Sequence, residues 1–182
     1  WARRGMGRGE AGGVWEVLSD PPADAAAAAA SLSRFIHLFL QRLLMSPEGT
    51  RCCSLMVRES MEPSEAIDAV VRDYVRPHRD MLVSVIAVLR PELPAAELAL
   101  SAQSVLAQVL HFRVFRAFVE RLDAQSTTGV QRVHALAAHI ARFSLTSLGC
   151  TSSQIEQAIE AGREATAAVP VELNKSAWSV VA

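Results

Sequence analysis

Apolar residues recur every three or four positions along most of the chain, and no segment alternates with period two over a useful length. The pattern predicts helices and no sheet. Asp24 caps a first helix that runs through the alanine tract into SLSRFIHLFLQRLLM and stops at Ser46 and Pro47. Its buried face is Leu32, Phe35, Ile36, Phe39, Leu40, Leu43 and Leu44. A short helix covers Arg51 to Ser60. Pro63 stands in the first turn of another, with Ala66, Ile67, Val70, Val71 and Tyr74 as its apolar stripe. Pro77 kinks that helix or starts the next, where MLVSVIAVL buries Leu82, Val85, Ile86 and Leu89 and ends by Arg90 and Pro91. From Pro94 no breaker intervenes until STTG near Ser126, which predicts a single helix of about 28 residues, on the order of 40 Å long.

The last strong helix runs from Gly129 to Leu148 and ends at Gly149 as C-cap. Val130, Val133, Ala137, Ile140, Ala141, Ser144, Leu145 and Leu148 line one broad face, with small residues at its centre that allow a close helix neighbour. SSQIEQAIEAGREATAA forms a short amphipathic helix, and Val169 to Ala182 a tail with an isolated Trp178. The expected fold is all-α, an antiparallel bundle of about six helices. Residues 1–22 are a poorly ordered, Gly- and Arg-rich lead-in with at most a short helical piece around Trp15 to Leu18. Residues 23–149 form the domain, and 150–182 a short helix and tail.

One stretch of the long helix, SVLAQVLHFRVFRAF, has almost no polar face. Val105, Val109, Phe112 and Val119 form one stripe, and Leu106, Leu110, Val114 and Phe118 another. A single core needs only one stripe, so such a helix is central in a large domain, inside a membrane, or shared with a second chain. The membrane reading fails because Arg34, His37, Gln41 and Arg42 interrupt the best apolar run, and Gln108, His111 and Arg113 the next.

Composition narrows the classes further. With 182 residues, 51% hydrophobic and 20% charged, the chain suits one domain with a sizeable core. A net charge of −1 supplies no global positive field for a phosphate backbone. Lys175 is the only lysine beside a majority of arginines, a bias of a GC-rich genome and not a functional signal. Cys52, Cys53 and Cys150 are odd in number and form no CxxC, which fits a reducing compartment, and the basic start is not followed by the apolar core of a signal peptide. The expected location is cytoplasmic.

Candidate chemistry is sparse. His134 and His139 are five apart, about 140° around a helix axis, so they point to different sides and make a poor metal pair. Cys52 and Cys53 diverge and lack a matching cluster; no metal or other cofactor is expected. No GxSxG, HExxH, P-loop or GxGxxG occurs, and no enzyme activity or catalytic residue is expected. Gln108 and His111, three apart on a helix that is otherwise apolar, need polar partners, either a ligand or their own surroundings. Arg58 and Glu59, between Met56 and Met61, read as a structural ion pair or the polar end of a pocket, and Arg76 before Pro77 as a solvated or capping group.

Two segments, MVRESMEPSEAIDAVVRDYVRPHRDML (56–82) and SAQSVLAQVLHFRVFRAFVERL (101–122), together with HALAAHIARFSLTSLG before Cys150, resemble the C-terminal ligand-sensing domain of TetR-family transcriptional regulators of the CecR-like subgroup. Arg58, Glu59, Pro63, Arg76, Pro77 and Gln108 carry the pattern, and the resemblance spans roughly residues 30 to 149. It implies a bacterial repressor's sensor that forms a homodimer, its last two long helices making a four-helix bundle with the partner. The interface expected from it is Val114, Phe118, Val133, Ala137, Ile140, Ala141, Ser144 and Leu148. It also implies an apolar cavity for a small hydrophobic effector, for which Met56, Glu59, Tyr74, Gln108, His111 and Phe112 are the candidate contacts. Operator DNA would be a partner only through a helix-turn-helix head of roughly 45 to 50 residues, which the segment ahead of the first clear helix does not supply. Two other classes compete: a helical enzyme or cofactor-binding bundle using His111, with Glu59, and a helical module whose two-sided helix binds another protein.

Overall fold

A computed structural model of the chain describes residues 22–122 and 129–169. The expected helical piece near Trp15, the tail with Trp178 and the STTG stop lie outside the described residues, apart from Gly129 and Val169. Regular structure among the described residues is helical: α1 (Ala25–Met45), α2 (Pro47–Met61), α3 (Ile67–Val70), a π turn (Val71–Val75), α4 (Arg76–Leu89), α5 (Ala95–Val114), α6 (Arg116–Leu122), α7 (Val130–Ser147) and α8 (Ser152–Ala168).

The first helix is the axis of the fold. Asp24 accepts the Ala27 amide at 2.8 Å, satisfying one of the donors that a helix start leaves open, and alanines carry the helix onward at little entropic cost. From Leu32 onward almost every side chain is buried, including Ser33, His37 and Gln41 beside the predicted leucines and phenylalanines. A helix buried all round sits at the centre, and α1 is packed by α2, α4, α5, α7 and α8.

The chain after α2 departs from expectation at Pro63, which lies in an irregular turn; the next helix begins only at Ile67. The cause is Glu59, whose Oε2 accepts the Ser64 amide at 3.0 Å and the Ser64 hydroxyl at 2.7 Å, so the chain folds back on the end of α2. The segment that follows is a short helix leading into the π turn, where the Arg76 amide reaches back to the Val71 carbonyl. Pro77 has no N–H to continue the ordinary ladder, and the imidazole Nδ1 of His78 donates to the Tyr74 carbonyl at 2.7 Å. Thus Pro77 stands in the opening turn of α4, which ends at Leu89 before Pro91.

The single helix predicted from Pro94 is two, α5 and α6, with a bend of 75° between them. No Gly or Pro marks the break, at Phe115 (φ −98°, ψ 20°). The run from His111 to Val119 is rich in aromatic and β-branched residues, which lose side-chain freedom in a helix, so this is where the helix yields. The bend turns Val119 into cover, and an Arg116–Glu120 ion pair at 2.6 Å lies within α6 just after it. No single described helix is long and apolar enough to cross a membrane, although α5 and α6 taken together would be.

At the other end, Gly149 (φ 81°) closes α7: its amide reaches the Thr146 carbonyl and the Cys150 amide the Leu145 carbonyl, both at 3.0 Å. Thr151 and Gln154 then cap α8 reciprocally. Far from being peripheral, α8 lies along α1, burying Ile155, Ala158, Ile159 and Gly162 there and against α7.

Candidate functional site

Helices α5 and α7 leave an open groove of about 360 Å3 between them. Ala107, Gln108, His111 and Phe112 form one wall, His139 and Ile140 the other. Three of the six expected ligand contacts, Gln108, His111 and Phe112, are therefore together. They share a site because residues three or four apart on a helix lie on one face. Met56, Glu59 and Tyr74 do not line this groove.

Inside the groove the polar groups are lightly held. Gln108 Nε2 stands 3.5 Å from the Ser144 hydroxyl, across the gap to α7, and 3.3 Å from the Ser104 carbonyl of its own helix. The His111 imidazole meets Phe112 edge-on and stacks on Phe115, each at 5.3 Å between centroids. Phe115 continues to Phe118 at 6.2 Å, so a row of rings leads out of the groove along the bend into α6.

That row is solvent-facing. Phe115 is 49% exposed, Phe118 68% and Leu122 83%; on α7, Phe143 is 61% exposed and lies one turn beyond His139. Of the expected interface residues, Val114 and Phe118 belong to this exposed face. Val133, Ala137, Ile140, Ala141, Ser144 and Leu148 are buried by the chain itself, because the small-residue face of α7 seats α1.

The other candidates have structural partners. Glu59 is almost fully buried, with both carboxylate oxygens engaged: Ser64 on one, Arg58 at 3.3 Å on the other. The Ser64 hydroxyl and amide, with help from Arg58, hold its carboxyl below the usual range against the opposing effect of burial. Tyr74 meets the His78 ring at a tilt, 4.9 Å between centroids, and burial, reinforced by the neighbouring Cys52 thiol, holds its hydroxyl well above the ordinary range. Met56 is half-buried on α2. Burial raises the thiols of Cys53 and Cys150, and all three cysteines are free.

His134 and His139 do face different sides, as their spacing implies. His139 is exposed in the groove, whereas His134 is half-buried, its pKa lowered by burial and by Arg163 of α8. Among the described residues no group of three or more His, Cys, Asp or Glu is assembled to hold a metal ion. The groove is suited to bind, with ring edges, imidazole nitrogens and one amide offered to a planar or apolar molecule. From the sequence His139 was weighed only as a metal ligand and Ile140 only as an interface residue, and Ala107 was not singled out; the available signal for this wall was His139 and Phe143, four apart on the polar side of α7.

Residues 28–148 match the family described as HTH-type transcriptional dual regulator CecR, C-terminal domain. No curated protein and no solved structure matches.

Proposed function

Because the chain belongs to the family of CecR C-terminal domains, the ligand-binding and dimerisation part of a TetR-type regulator, we propose that it senses a small, largely apolar effector in the α5–α7 groove and pairs with a second copy through the exposed face beside it. The observation that carries this reading is the continuity of groove and face: His111 lines the one and stacks on Phe115 of the other. An effector against Phe112, His111 and Ile140 would press on the same helices that meet the partner, and so favour one dimer geometry over another. Regulation by such a molecule is a difference in affinity between two conformations, not catalysis. DNA reading falls to a helix-turn-helix head, which is outside the matched C-terminal domain, and repression in the cytoplasm is the setting that fits three free thiols.

Energetics favour a second copy as the cover. Burying a large apolar side chain is worth about 1.5–3 kcal/mol. Eight such side chains, four on each of two copies, would supply about 12–24 kcal/mol if fully exposed beforehand, and less because they are already partly covered, against the roughly 4–15 kcal/mol that association costs. The sensing half is tested by a thermal-shift screen with lipophilic aromatic compounds. A hit should raise Tm for the wild type and lose at least half of its shift in Phe112→Ala and in Gln108→Ala. Hits whose shift survives both substitutions would place the effector elsewhere.

A further inference from the structure

We propose that α8 is an acid-released latch: it lies closed on α1 only while the buried His37 imidazole is neutral, and proton uptake there frees α8 from the rest of the bundle.

His37 is fully buried on the α8-facing side of α1. Its Nδ1 stands 2.9 Å from the Ser33 carbonyl, which can only accept, so Nδ1 carries the hydrogen; the Ser33 hydroxyl is 3.3 Å away. That leaves Nε2 as the nitrogen that would gain a proton, and among the described residues Nε2 has no hydrogen-bond partner. The charged groups that approach it from the packed helices are His134 of α7 and Arg163 of α8, both of which oppose a second cation. Burial opposes it more strongly still, and together these hold the His37 pKa below its ordinary value against the favourable Ser33 contact.

There is no slack for water. A Cβ at Gly162 would overlap the His37 ring, so α8 lies directly on the imidazole. One turn further along α1, Gln41 reaches α8 by a long contact, Nε2 to the Thr166 carbonyl at 3.5 Å, and its Oε1 has no partner among the described residues. A protonated ring therefore gains hydration chiefly by separating α8 from α1.

Separation is local because of the connectivity. α8 packs on α1 and α7, whereas α1 is also held by α2, α4 and α5. The family match ends at residue 148, before α8 begins, and α8 is the last of the described helices. Elements of that kind open below the energy of global unfolding.

The test is hydrogen exchange on the full chain at pH 7.5 and 5.5, corrected for intrinsic rates, with parallel NMR titration of the histidines. The opening constant of α8 should rise about tenfold between the two pH values, as uptake of one proton by a group that titrates near 6.5 when released requires. Protection in α5 and α7 should persist, and the rise should vanish in His37→Asn while surviving in His134→Gln and His78→Asn. Unchanged α8 protection in the wild type, or loss in all helices together, overturns the proposal; so does a rise that survives His37→Asn. If His37→Asn does not fold, the titration decides: α8 release must track proton uptake at His37 and no other histidine.

Discussion

At the scale of residues, two glycines make opposite predictions from different causes. Gly149 has a left-handed backbone with open space where a Cβ would stand, so Gly149→Ala meets only conformational strain, about 1–2 kcal/mol. Gly162 lies inside a helix, where alanine would gain about 1 kcal/mol of propensity. Its Cβ would nevertheless overlap His37, and overpacking of this kind costs about 1–3 kcal/mol. Denaturant melts should show both variants destabilised, with only Gly162→Ala recovering in a His37→Ala background. Gly149 was legible in the sequence because a C-cap is a local requirement. Gly162 was not, because its constraint is set by a residue of α1 far away in the chain. Glu59 follows the same logic: the RE pair was visible, but its bonds to Ser64 depend on a turn that the Pro63 signal mislocated.

Helices that read alike can occupy opposite environments. Both α1 and the 104–118 stretch are apolar nearly all round, yet α1 is enclosed while α5 and α6 leave Phe115, Phe118 and Leu122 in solvent. Periodicity shows how wide an apolar face is, not which neighbour covers it. The start of α1 at Asp24 and the end of α7 at Gly149 were legible from capping chemistry. The bend at Phe115 was not, since no breaker residue stands there. The small-residue face of α7 did signal a close neighbour, and in this structure that neighbour includes the chain's own α1. Ala137→Glu should therefore unfold the chain, by placing a carboxylate in a site without exposure, whereas Phe143→Glu on the opposite side should leave the chain folded, with its circular dichroism spectrum nearly unchanged. Equal damage from the two would mean that the faces of α7 are assigned incorrectly.

For the molecule as a whole, acid sensitivity and assembly are the two exposed consequences. His37 and His78 are buried, and burial lowers both below the ordinary value. A lowered folded-state pKa means that the unfolded chain takes up the proton first. Stability is then intact above about pH 6.5 and falls as the pH drops below it, by up to about 1.4 kcal/mol per pH unit for each histidine, until the folded-state values are reached. Carboxylates such as Glu59 and Glu156, held low by their hydrogen bonds, add a separate loss in stronger acid, below their unfolded values near 4.3. Chemical denaturation at several pH values should show the first decline near 6.5; a flat profile down to pH 5 would contradict it.

Assembly bears on the central claim, that the exposed side chains Phe115, Phe118 and Leu122 along the α5–α6 bend and Phe143 of α7 meet a second copy of this domain. The direct measurement is sedimentation equilibrium of the chain at micromolar concentration, beside a variant carrying Phe118→Glu and Phe143→Glu, with helicity checked for both. The account predicts a wild-type dimer and a folded, monomeric variant. A wild type that is monomeric, or a variant that remains dimeric, would contradict it.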